Sequence, residues 1–146
     1  MSFREKSAWI TLISVLITMG AYYSALLFGL IHPESMSAFH FGLIAIIALI
    51  ILQVGLHIIA ALLNPADART PRDEREKLIQ ARSHTWGYYV MLVGMTVTVF
   101  ATHIPSLGED LGLHSFMVTV YLGLGVMVIA SLAVAIAQIV MFRRGA

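Results

Sequence analysis

Histidine and carboxylate side chains are the residues of this chain whose chemistry could bind a metal ion. The sequence has six histidines and no cysteine, so thiolate ligands and disulfides are excluded. Imidazole is a common ligand of zinc, copper, nickel and haem iron, and carboxylates can complete such a site. Four of the histidines lie in or beside two polar segments, HPESMSA and IPSLGEDLGLHS, which also contain acids. The sequence therefore predicts a candidate metal site made of His32, Glu34, His40, His103, Glu109 and His114.

A haem version of this site would use His40 and His103 as its cofactor-binding pair, with His57 and His84 as a second pair. Two haems ligated in this way would form an electron conduit. The interval from His40 to His57 spans ~25 Å of helix, which is long for two stacked cofactors. No H-x-x-x-H or H-E-x-x-H spacing occurs. The simpler interpretation, in which these histidines only tolerate a polar interface, therefore stays open.

Gln53, His57 and Gln138 are among the few strongly polar side chains within the apolar stretches. Gln53 and His57 are four residues apart and so share one face of a helix. Polar residues within a membrane usually face the interior of a helix bundle. The pattern predicts one intramembrane polar cluster, and the alternative is that each residue only makes a hydrogen bond between helices.

Four apolar stretches must position these groups. The chain has 59% hydrophobic and 12% charged residues, with a mean hydropathy of +0.87. In soluble domains roughly a quarter of the residues are charged. A helix needs about 20 apolar residues to cross a bilayer, and the first stretch is too long for the apolar part of a signal peptide. The sequence predicts an all-α, four-transmembrane-helix bundle, with helices at about 8–31, 39–63, 86–103 and 116–142.

The basic residues are distributed asymmetrically along the chain. All nine lie before the first stretch, between the second and third, or after the fourth. By the positive-inside rule these three regions are cytoplasmic. The pattern predicts a multi-pass protein of the bacterial inner (cytoplasmic) membrane with both termini inside.

The connector between the second and third stretches contains the run TPRDEREKLIQARSHTW, at 70–86. This run predicts a helix over 70–85 that continues into the third span. Thr70 would be its N-cap, Pro71 would take the first helical position, and Asp73 would follow two residues later. Asp73 and Lys77 are expected to pair one turn apart. One interpretation is a solvated extension that anchors topology, and the other is a docking surface for a partner or anionic lipid. The candidate partner surface comprises Arg72, Asp73, Glu74, Arg75, Glu76 and Arg82.

Two further patterns bear on architecture. KSAW precedes the first span and RSHTW the third, and the turn after each begins with His and closes with His before Phe. This similarity predicts two hairpin repeats. Small residues such as Ala133 and Ala137 let helix backbones approach closely, either within one chain or in a homodimer.

The chain contains FREKSAW near its start, DEREKLIQARS followed by GYYVMLVG in its middle, and QIVMFRRG near its end. These segments resemble a family of small bacterial four-helix membrane proteins of unknown role. The resemblance implies an inner-membrane location and supplies no catalytic residues.

No sequence motif indicates an enzyme. Phosphate-binding glycine-rich motifs and G-x-S-x-G are absent from the sequence, and no acid lies within the apolar stretches. The basic residues alternate with acids and follow topology, so nucleic-acid binding is not predicted. The favoured hypothesis is a non-enzymatic accessory or regulatory membrane protein whose connector binds a cytoplasmic or membrane protein. The alternative hypotheses are a metal- or haem-binding redox protein, and a small transporter or channel.

Overall fold

The computed structural model describes residues 3–32, 35–66, 70–71, 73–103 and 116–144. Within these ranges the chain contains four long α-helices and no strand, which confirms the all-helical prediction. All four helices are long and apolar enough to cross a membrane. They are α1 (Phe3–Leu27), α2 (Met36–Leu63), α3 (Glu74–His103) and α4 (Phe116–Arg144).

The helices do not pack as a closed square. α1 packs against α2 and against α4, and α4 packs against α3, whereas α2 and α3 hardly touch within the described residues. α1 and α4 therefore form the middle of the bundle, with α2 and α3 at its flanks. The start of α1, the end of α2, the start of α3 and the end of α4 are joined by side-chain contacts at one end. We call this the charged end, and the other the far end.

α1 ends earlier than the apolar run suggests. Gly29 adopts φ 70°, in the left-handed region that glycine tolerates. The amide of Gly29 bonds the carbonyl of Leu26 at 3.2 Å, and the amide of Leu30 bonds that of Ala25 at 3.0 Å. This pair of bonds is a Schellman motif, so α1 stops at Leu27 and not near Ile31. α2 then begins at Met36, with Ser35 as its N-cap.

α3 is a single helix that includes most of the charged connector. Neither proline nor glycine interrupts the sequence between Glu74 and Gly87, so the helix continues into the apolar stretch as predicted. It starts later than expected, because the Asp73 carbonyl accepts the Lys77 amide at 3.0 Å. The Thr70 hydroxyl instead donates to the Ala66 carbonyl at 2.9 Å.

α3 and α4 approach closely at two glycines. A Cβ atom at Gly87 would collide with the Val134 side chain, and one at Gly94 would lie 2.6 Å from Val126 Cγ1. Close backbone approach of this kind is how helices pack where lipid supplies no hydrophobic drive. The glycines of α3 thus pack the two helices of one chain together. The hairpin repeat stays a prediction.

Candidate functional site

Side chains in the first turn of α1 contact the other helix ends at the charged end. Four consecutive residues each contact another part of the bundle, because successive side chains on a helix point about 100° apart. Arg4 Nε lies 3.7 Å from Glu76 Oε2 on α3, and Glu5 Oε1 lies 3.5 Å from Arg143 Nε on α4. Lys6 Nζ donates to Asn64 Oδ1, just beyond α2, at 3.2 Å. The first turn of α1 therefore contacts its packing neighbours α2 and α4, and the Arg4 side chain also reaches α3.

The fourth of these residues, Ser7, pairs with a histidine of α2. Ser7 Oγ lies 2.8 Å from His57 Nε2, and His57 Nδ1 lies 2.7 Å from the Gln53 carbonyl oxygen. A carbonyl can only accept, so Nδ1 carries a hydrogen. In the neutral ring Nε2 is then the acceptor and the Ser7 hydroxyl is the donor. The arrangement places a hydroxyl beside a base, and it also makes a hydrogen bond between α1 and α2.

Gln138 belongs to a second polar link, between α4 and α3. Its Nε2 donates to Ser83 Oγ at 3.1 Å, and Ser83 Oγ donates to the Gln80 carbonyl at 2.8 Å. Ser83 is fully buried, so this bond satisfies a polar group with no access to water. His57 and Gln138 are thus held by different partners.

A polar cavity of about 120 Å³ lies between these two links. Ser7, the partner of His57, faces the same cavity as Gln138. Of the three residues expected in one cluster, Gln53 contributes its backbone carbonyl to His57. Gln138 lines the cavity itself, and His57 adjoins it through its partner Ser7. The lining residues of the cavity are Arg4, Ser7, Glu76, Gln80, Gln138 and Phe142.

The charged segment, by which we mean residues 73–83, has an inward and an outward face. Ile79 and Ser83 are buried, and Glu76 turns inward to Arg4. Lys77 Nζ pairs with Glu74 Oε1 at 2.6 Å, one residue nearer than the expected partner Asp73. Arg72 lies outside the described residues. The outward face carries the exposed residues Asp73, Glu74, Arg75, Lys77, Leu78 and Arg82.

Three of the candidate metal ligands lie at the far end within the described residues. His32, His40 and His103 are exposed. The Nδ1 atoms of His40 and His103 bond carbonyls of their own helices, Met36 at 2.8 Å and Val99 at 2.9 Å. In the described part of the chain no three His, Asp or Glu residues are grouped as metal ligands. His114, Glu34 and Glu109 lie outside the described residues.

The two histidines of the second predicted haem pair, His57 and His84, lie in different environments. His57 is engaged by Ser7 and Gln53, whereas His84 is exposed on α3. His40 and His103 stand on α2 and α3, which hardly touch within the described residues. Haem binding through these pairs stays a hypothesis.

The first turn of α1 was not among the site residues predicted from the sequence. The signal was four consecutive polar residues, REKS, placed directly before the first apolar stretch. Polar residues at the start of a membrane-length helix need hydrogen-bond or ion-pair partners, and in a bundle the neighbouring helix ends supply them. Which helix end meets which residue depends on packing.

No protein-family model matches the chain, and no curated protein or solved structure matches it. No catalytic residue or ligand is therefore carried over from a relative. The residues of the charged end are the best-defined candidate site, because contacts between helices place them.

Proposed function

We propose that this chain is a non-enzymatic accessory or regulatory membrane protein that binds a protein partner on the outward face of its charged segment. The observation that carries the proposal is the continuity of α3 from Glu74 to His103. A partner bound to its first turns would contact a helix that is rigidly continuous with a membrane-length span. Binding there would move the membrane-length part of α3 or fix its position.

The charged segment has the features of a preformed docking surface. Its inward face is fixed by burial of Ile79 and by the Arg4–Glu76 pair, whose side chains are 25% and 26% exposed. Its outward face holds charges of both signs around Leu78, which is 47% exposed. Interfaces commonly combine an apolar centre with a polar rim. Because the surface is already ordered, it would lose little conformational entropy when a partner binds.

The proposed location is the bacterial inner membrane, with both termini in the cytoplasm. The seven Lys and Arg residues within the described ranges all lie at or near the charged end, where Arg4 and Lys6 begin α1 and Arg143 and Arg144 end α4. The positive-inside rule assigns such an end to the cytoplasm. The partner is then a cytoplasmic protein, another membrane protein or a second copy of the chain. The proposed relationship to small bacterial four-helix membrane proteins fits this location.

Site-specific photocrosslinking in intact membranes tests the proposal. A photoreactive amino acid is placed at Leu78, on the outward face of the charged segment. The matched control carries it at Val97, which is 60% exposed on the apolar part of the same helix. We expect one discrete protein adduct from Leu78, reproduced when the photoreactive residue is placed on the identified partner. Identical adduct patterns from the two positions, or none from Leu78, would reject the docking surface.

A further inference from the structure

We propose that α3 also carries a binding site for the phosphate of an anionic phospholipid, at the base of the charged segment. The site is the guanidinium of Arg82 beside a surface groove of about 290 Å³, whose largely apolar lining comes from Arg82, Thr85, Trp86 and Tyr89. Arg82 precedes Thr85 and Trp86 by three and four residues, and Tyr89 follows them by four and three, so the four share one side of the helix. The inference goes beyond the protein-docking role and assigns Arg82 to lipid, which leaves 73–78 for a protein partner.

Charge complementarity favours an anionic occupant. Both acids in the first turn of α3 are engaged, Glu74 by Lys77 and Glu76 by Arg4. No salt bridge involves Arg82 within the described residues. A guanidinium binds phosphate through two parallel hydrogen bonds, which makes arginine well suited to this group.

The other lining residues match the headgroup layer of a bilayer. Trp86 and Tyr89 are 60% and 55% exposed, and each carries a hydrogen-bond donor, the indole N–H and the phenol O–H. Trp and Tyr are enriched where the membrane meets water. The Thr85 hydroxyl donates to the Ala81 carbonyl at 3.0 Å, so Thr85 contributes packing to the groove.

The same face continues into an apolar path. Val93 and Phe100 follow at helical spacing and are exposed, as an acyl chain beside the helix requires. Arg75 precedes Arg82 by two turns on this face, on the side away from the bilayer. Along this face, basic side chains are followed by aromatic and then by apolar ones. A phospholipid presents its phosphate, its interfacial region and its acyl chains in the same order. This order selects a phospholipid over a soluble phosphate compound.

Tryptophan fluorescence measures the preference directly. The chain has two tryptophans, so Trp9→Phe leaves Trp86 as the only reporter. The purified variant is placed in vesicles that hold equal mole fractions of brominated phosphatidylglycerol or brominated phosphatidylcholine as quencher. We expect quenching of Trp86 to indicate a roughly fivefold enrichment of the anionic lipid, the effect of one well-placed basic residue. Arg82→Gln, made in the same background, is expected to abolish the enrichment.

The control is Arg144→Gln, which removes an exposed arginine from the same end of the bundle and leaves the groove intact. It is expected to keep the preference. Equal quenching by the two lipids, or retention of the preference in Arg82→Gln, would overturn the proposal. Equal losses in the two arginine variants would also overturn it, since they would indicate a general surface potential. If Trp9→Phe does not fold, the same comparison is made with both tryptophans present.

Discussion

The Ser7 hydroxyl of α1 lies 2.8 Å from Nε2 of His57 on α2, although 50 residues separate them in the chain. The other ring nitrogen of His57 bonds a backbone carbonyl of its own helix, so the ring is held at both nitrogens. Ser7 is also the last of four polar residues through which α1 joins the charged end. The start of α1 therefore organises that end of the bundle, and the charged segment of α3 is held in place by it.

Removing this hydrogen bond should weaken the α1–α2 contact measurably. We expect a double-mutant cycle with Ser7→Ala and His57→Phe to give a coupling free energy of about 0.6 kcal/mol, and not more than about 1.7. The measurement is reversible unfolding in mixed micelles. Ser24 supplies the control, because its hydroxyl bonds the Ala21 carbonyl within α1. A Ser24→Ala and His57→Phe cycle should show no coupling, and equal values in the two cycles would contradict the pairing.

The Arg4–Glu76 pair should order the charged segment more than it stabilises the whole bundle. Both side chains are partly exposed, so we expect Glu76→Arg to cost at most about 1 kcal/mol of unfolding free energy. Amide hydrogen exchange over 74–80 should nevertheless become faster, because the inward anchor is lost. The charge-exchanged double variant, Arg4→Glu with Glu76→Arg, should restore slow exchange. If the double variant exchanges as fast as Glu76→Arg alone, the two residues are not partners.

Packing of α3 on α4 should depend on Gly87. A methyl group there would press on Val134 and lie 3.4 Å from the Ala130 carbonyl oxygen. We expect Gly87→Ala to lower the unfolding free energy by about 1–3 kcal/mol, and Val134→Ala in the same chain to recover part of the loss. The control is Gly20→Ala, where an added Cβ meets nothing within 4 Å. Equal destabilisation at the two glycines would count against the described α3–α4 contact.

The proposed orientation can be read with single cysteines, because the chain has none of its own. Leu30→Cys places an exposed thiol at the far end, and Thr70→Cys places one at the charged end. In spheroplasts, a membrane-impermeant maleimide should label the cysteine at position 30 and not the one at position 70. Inverted vesicles should give the opposite result. The reverse pattern in both preparations would place the charged end outside the cell.

The long helices could be predicted from the sequence because each contains a run of apolar residues. Such a run can be recognised without knowing the tertiary structure. The continuity of α3 was predictable for the same local reason, since no proline or glycine interrupts it before Gly87. The early end of α1 was missed although its cause is local. Gly29 sits within an apolar run, and composition gave no sign that its backbone turns left-handed.

The contacts of the site could not be predicted because they depend on which helices become neighbours. Ser7 looks like an ordinary residue at the start of a span until α2 packs against α1. Pairing His40 with His103 required α2 and α3 to be adjacent, and within the described residues these two helices hardly touch. Gln138 was correctly singled out as polar, but its partner Ser83 lies in a segment that sequence analysis treated only as charged.

The most direct test of the proposed function compares two sets of substitutions by one readout, the protein adduct formed from a photoreactive residue at Leu78. The first set neutralises exposed charges of the outward face, Glu74→Gln, Arg75→Gln and Lys77→Gln. The second removes two far-end histidines, His40→Ala and His103→Ala. We predict that the adduct disappears in the first set and persists in the second, because the partner contacts the charged segment. An adduct that survives the charge substitutions and is lost with the histidines would contradict the account.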